Sequence, residues 1–136
     1  FPNGIVITPD NTTLIVAETR GRCLTAFNIA HDGSLNGRRI FAATENMYPD
    51  GICLDAEGAV WVADPQNKEI IRIRDGSEIT DRISLGDRGA YACMLGGEDK
   101  RTLFVCTNVG SGPEIASKKS GKIETLRVDI PGAGLP

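Results

Sequence analysis

The sequence predicts an all-β protein, a β-propeller of four-stranded blades with three blades in this chain. Three observations carry that prediction. A phrase recurs: FPNGIVITPDNTTLIVAE from Phe1, MYPDGICLDAEGAVWVAD from Met47, and ACMLGGEDKRTLFVCT from Ala92. Its spacing of about 42 to 47 residues is the period of a propeller blade. In each copy two short apolar runs, rich in β-branched and aromatic residues, flank a polar turn, the pattern of buried strands. No helical periodicity of useful length interrupts them.

The elements follow in order. First strands are expected at residues 4–8, 51–55 and 92–95, and second strands at 14–17, 60–63 and 103–106. The turns between them, TPDNT, DAEG and GGEDK, hold the residues that favour reversal. Third strands at 24–29, 70–74 and 123–128 alternate apolar and polar residues, which predicts one wetter face. Fourth strands at 39–42 and 81–85 are reached through the tight turns HDGS and DGS. The third copy has no fourth strand, because after Asp129 the chain reads IPGAGLP. The blades are therefore expected at 1–46, 47–89 and 90–136, with 108–121 as an exposed, mobile insertion. Three blades leave two apolar flanks uncovered, and such surfaces drive association.

Composition excludes some function classes. The 136 residues carry a net charge of -3, which gives no reason to expect nucleic acid or an anionic membrane as partner. No apolar run approaches the roughly 20 residues needed to span a bilayer. There is no signal peptide and no initiator Met, so a chain that starts at Phe1 inside a strand-forming phrase reads as a fragment. The four cysteines form no Cys-x-x-Cys pair, which argues against a zinc cluster. Cys53 and Cys106 lie in apolar strand patterns and are expected to be buried free thiols of a cytoplasmic protein.

The phrases FPNGIVITPDNTTLIVAET, AHDGSLNGRRIFA, YPDGICLDAEGAVWVAD, CMLGGEDKRTLFV and GKIETLRVDIPGAG, in that order and at blade spacing, resemble the SMP-30/gluconolactonase/regucalcin-like family. The resemblance covers nearly the whole chain and matches the C-terminal half of a family member. It implies half of a six-bladed propeller with one divalent cation on the central axis, in a family made up mostly of lactonases. The metal is held there by a Glu of the first blade, the Asn of a Pro-Asn-Gly phrase and the Asp of a Pro-Asp-Gly phrase. On that resemblance Asn3 and Asp50 carry over as metal ligands, with Asp50 also the proton acceptor. The family's Glu, and a second Asn that contacts substrate or metal, have no counterpart in these residues.

The residue types suit that chemistry. The residue before each inner strand is expected at the mouth of the central channel, which places Asn3 and Asp50 on neighbouring blades and Ala92 on the third. Their oxygens suit Ca²⁺, Mg²⁺ or Mn²⁺, with Zn²⁺ tolerated. A cation there polarises a lactone carbonyl and eases deprotonation of water, and Asp50 is the candidate base. Asn-Gly and Asp-Gly are also ordinary turn formers, and that plainer reading stands beside the first. Met47 and Tyr48 are candidates to line the substrate mouth, with Tyr91, Arg20 and Arg22 weaker ones. Glu18 and Asp64 read as turn residues, Trp61 as a core filler between blades, and His31 as a solvent-exposed turn residue.

The expected function is therefore a metal-dependent lactonase-type hydrolase acting on a sugar lactone or related ester. It would be completed as a homodimer, by a complementary half-propeller chain or by a missing N-terminal half. The alternatives are a non-catalytic propeller fragment or binding module that has lost a complete metal site, and another six-bladed family, such as a strictosidine-synthase-like propeller, which would not predict the metal pair.

Overall fold

A computed structural model describes residues 1–134, and the end of the expected third blade, Leu135 and Pro136, lies outside them. The described chain folds into three antiparallel sheets that follow one another in sequence. The first holds β1 (Pro2–Ile7), β2 (Thr13–Glu18), β3 (Cys23–Ile29) and β4 (Leu35–Ala43). The second holds β5 (Ile52–Leu54), β6 (Val60–Asp64), β7 (Glu69–Ile73) and β8 (Ile79–Ser84). The third has, among the described residues, three strands, β9 (Gly89–Gly96), β10 (Thr102–Asn108) and β11 (Lys122–Arg127). Inside the expected insertion, Pro113–Ala116 makes a single helical turn, α1. No helix among the described residues is long and apolar enough to cross a membrane.

Side-chain alternation on the middle sheet explains how the sheets stack. Residues directly opposite one another in antiparallel strands share a face. The rows Ile52–Val62–Ile71 and Leu54–Val60–Ile73 meet Val6, Ile15, Ala17, Leu24 and Ala26 of the first sheet. The opposite rows, with Cys53, Trp61, Ala63 and Ile70, meet Cys93, Leu95, Leu103 and Val105 of the third. Trp61 is thus the inter-sheet filler its position predicts. β5, β6 and β7 are buried on both faces, as a sheet packed between two others must be.

That burial corrects the expectation of a wet face on β7. Arg72 is only 4% exposed, and its guanidinium is neutralised within the sheet. Nε donates to Asp55 Oδ2 at 2.6 Å, Nη1 to Thr80 Oγ1 at 3.0 Å and Nη2 to Glu57 Oε2 at 2.9 Å. The second Asp55 oxygen, Oδ1, accepts from the Glu57 and Ala59 amides. A paired Arg can therefore occupy what reads in sequence as a polar position. Cys53 is buried as expected, but Cys106 is exposed. It lies in the row Ala92–Cys106–Ile123 on the flank of the third sheet, where no further described sheet packs.

The inner edges β1, β5 and β9 approach closely. Gly4 N–H donates to Asp50 O and Gly51 N–H to Tyr91 O, each at 3.0 Å. A Cβ at Gly4 would lie 2.6 Å from Asp50 O and Ile52 N, and one at Gly51 2.6 Å from Ala92 Cα. Glycine at these two places is therefore a requirement of sheet-to-sheet contact. At the far ends of the same strands the tail crosses back, with Ala133 N–H donating to Leu54 O and Ala56 N–H to Pro131 O.

Two stability predictions follow from these contacts. Gly4→Ala forces atoms into a contact between backbones and should cost about 1–3 kcal/mol. Ala92→Gly faces no further described sheet and should cost only about 0.5–1 kcal/mol. Equal urea midpoints for the two variants would show that the sheets have room to separate. Arg72→Ala, which leaves Asp55 buried without its cation, should cost about 3–5 kcal/mol. Glu57→Ala removes a partner that is 46% exposed and should cost under about 1 kcal/mol. Chemical denaturation of the two variants checks the contrast.

Candidate active site

A β-bulge stands at the same place in all three inner strands. In β1, Pro2 pairs with Glu18 and Ile5 with Val16, so Asn3 and Gly4 together face Ala17. In the second sheet, Asp50 N–H donates to Ala63 O while Ala63 N–H donates to Gly51 O, so two residues again share one partner. In β9, Ala90 pairs with Thr107 and Ala92 with Cys106, which leaves Tyr91 as the extra residue. Bulges re-aim side chains and recur beside active sites.

The bulges fix the equivalences. Ile5, Ile52 and Cys93 pair with Val16, Val62 and Val105, so the residues two before them, Asn3, Asp50 and Tyr91, correspond. This corrects the placement of Ala92, which corresponds to Gly4 and Gly51. The third copy has no Pro-x-Gly phrase to mark its register. The signal that finds it is the ungapped match of the third phrase to the second back from Leu95 and Leu54.

Asn3 and Asp50 come together. Burial pushes the Asp50 carboxyl above its ordinary value, and a hydrogen bond from the Asn3 side chain pulls it part of the way back. Asn3 Nδ2 also donates to Thr19 Oγ1 at 3.3 Å, and Thr19 Oγ1 donates to the Pro49 carbonyl at 2.7 Å. Thr19 therefore links the Asn3 side chain to the residue before Asp50, a role the sequence pattern did not indicate. Among the described residues Asp50 makes no ion pair. A half-buried carboxylate beside an amide, with no protein cation, is a donor set that suits a hard divalent cation. These two side chains fit part of such an ion's coordination. Among the described residues, no group of three His, Cys, Asp or Glu side chains could hold a metal by itself.

The other candidates separate. Met47 is 4% exposed and packs in the core between the first two sheets, so its side chain has a packing role. Tyr48 is half-buried and held by Arg22, whose Nη2 donates to the phenol oxygen at 2.7 Å and whose guanidinium lies 4.8 Å from the ring centroid. Arg20 stacks over Phe1 instead. Tyr91 borders an open concavity with Cys106, Asn108, Lys122 and Ile123. Asp64 is fully buried and accepts bonds from the Gln66, Asn67 and Tyr48 amides, which makes it the turn residue its position predicts. Glu18 accepts from Thr25 and Arg38. A separate apolar cavity of about 50 Å³, bordered by Val6, Leu54, Leu95 and Ala133, lies toward the other ends of the inner strands and offers no comparable chemistry.

The chain is 29% identical over 98% of its length to a 6-deoxy-6-sulfogluconolactonase of Pseudomonas putida, covering 48% of that protein. It is 26% identical over its full length to a pentonolactonase of Haloferax volcanii, covering 50% of it. The chain thus spans about half the length of the curated relatives it matches. Among solved structures, a luciferin-regenerating enzyme superposes with a TM-score of 0.81 at 21% identity, over 97% of this chain and 47% of the other. The family model described as SMP-30/Gluconolactonase/LRE-like region matches residues 1–109, and the chain belongs to that family.

Proposed function

We propose that this chain carries the cation- and base-bearing part of a lactone hydrolase acting on sugar lactones. The observation that carries the reading is the half-buried Asp50 carboxylate, held beside Asn3 by neighbouring bulges and lacking a protein cation. The names of the two lactonase relatives support the substrate class. Asn3 and Asp50 would hold one divalent cation, Ca²⁺, Mn²⁺, Mg²⁺ or Zn²⁺. When bound, that ion supplies Lewis-acid polarisation of the lactone carbonyl. Asp50 accepts the proton of the attacking water and returns it to the ring oxygen as the acyl C–O bond breaks, so that the ring opens to a hydroxy acid. The main-chain clamp on Asp50 holds the carboxylate in place.

The three sheets are read as three propeller blades, 1–46, 47–89 and 90–136, half of a six-bladed ring. Ile5 and Ile7 are exposed on the flank of the first sheet, and Phe104 and Ile123 on that of the third. The same kind of apolar row joins the first sheet to the second, so each flank suits another sheet. A second copy, or three further sheets of a longer chain, would cover both flanks and bring more oxygen donors to the axis. Two buried free thiols favour a reducing, cytoplasmic location. A second reading, a binding module without catalysis, is favoured by the short donor set at the site.

With gluconolactone and a pH indicator, hydrolysis is expected to depend on added Mn²⁺, Ca²⁺ or Zn²⁺. Asp50→Asn should lower the rate about 10²- to 10⁴-fold without changing the circular dichroism. A rate indifferent to metal and to this substitution favours the binding module. Sedimentation at micromolar concentration should give a dimer, and a stable monomer rules out completion by a second copy.

A further inference from the structure

Tyr91 occupies the third of three equivalent bulge positions, after Asn3 and Asp50. Its carbonyl accepts from Gly51 N–H, in the way Asp50's accepts from Gly4 N–H, so its backbone is clamped to the strand that carries the carboxylate. The loop beside it is also fixed at its base. Arg88, 9% exposed and three residues before Tyr91, donates to Thr107 Oγ1 and to the Thr107 and Ser120 carbonyls. That joins the end of β10 to the segment returning into β11. The base of the loop beside Tyr91 is therefore fixed.

The chemistry at the third position differs from that at the first two. A phenol is a poor ligand for a hard cation beside a carboxylate. It also reaches farther from its Cα than Asp50 does. Its hydroxyl is both donor and acceptor, which matches the hydroxyl of a polyol. The Tyr48 phenol is occupied by Arg22, whereas the Tyr91 phenol has no hydrogen-bond partner among the described residues.

We infer that Tyr91 is a specificity-determining residue that hydrogen-bonds a ring or chain hydroxyl of the bound sugar lactone or its hydroxy acid, while Asn3 and Asp50 hold the cation. The site then prefers a polyhydroxylated ligand over one that carries only the hydroxyl released by ring opening. This rests on the reading of Asn3 and Asp50 given above.

The test is calorimetric titration of the full chain with Ca²⁺, then of the Ca²⁺-loaded chain with gluconate and with 5-hydroxyvalerate. Tyr91→Phe keeps the ring and its packing. It is expected to leave Ca²⁺ binding and 5-hydroxyvalerate binding unchanged and to weaken gluconate binding about five- to tenfold, the worth of one hydrogen bond. Asp50→Asn is expected to weaken Ca²⁺ binding. Unchanged gluconate binding in Tyr91→Phe, with Asp50→Asn behaving as stated, overturns the role of Tyr91 alone. Equal losses of gluconate and 5-hydroxyvalerate would show a structural role and overturn it as well. Ca²⁺ binding indifferent to Asp50→Asn overturns the cation site, and a wild-type chain that binds no gluconate overturns both.

Discussion

The main-chain hydrogen bonds from Gly4 to Asp50 and from Gly51 to Tyr91 join the three sheets at their inner edges. They require a backbone-to-backbone approach that leaves no room for a side chain on the approaching residue. They also require that the residue before each glycine be displaced from the regular ladder, which is what the bulge does. Contact between sheets and exposure of Asn3 and Asp50 are thus two consequences of one local geometry. The Pro-x-Gly phrase encodes both: glycine for the approach, and the displaced residue before it. Thr19 then links the two sides, since its hydroxyl receives from Asn3 and donates to the Pro49 carbonyl.

Most of the fold was legible because strand burial has a strong sequence signature. The inner and second strands are short runs of Ile, Val, Leu, Ala and Cys, and each lies within a few residues of its expected place. The failures share one cause, which is that a residue's neighbours across sheets are not visible in sequence. Arg72 reads as a wet position, yet Asp55 lies across the sheet to neutralise it. Cys106 reads as buried, yet it sits on an uncovered flank. β4 begins at Leu35, earlier than expected, because strand pairing with β3 continues through residues with no apolar signature.

The candidate site was legible in part, and for a similar reason. Asn3 and Asp50 are marked by a repeated phrase, so a repeat alignment alone makes them equivalent. Tyr91 was singled out for lying near the mouth, but its equivalence to Asp50 depends on the register of β9 against β10. Met47 adjoins the Pro-Asp-Gly phrase in sequence, but its side chain packs inward with Phe41 and Ala42. Proximity along the chain is a weak guide to side-chain direction near a bulge, where one extra residue changes which face each neighbour presents.

The donor count ties the site to the flanks. A hard divalent cation takes about six to eight oxygen ligands when it is Ca²⁺, and Asn3 and Asp50 provide only a few of them. The exposed apolar rows lie on the outer faces of the first and third sheets. Burying those rows under further sheets and adding oxygen donors opposite Asp50 are the same geometric act. In the proposed reading, the hydrophobic free energy of closing the flanks would also assemble the cation site, as sheet-on-sheet packing already brings Asn3 to Asp50 within this chain. On this argument, the half-buried carboxylate carries its desolvation cost in the half-length chain without the cation that would compensate it. Any partner that completes the sheets would also relieve that cost.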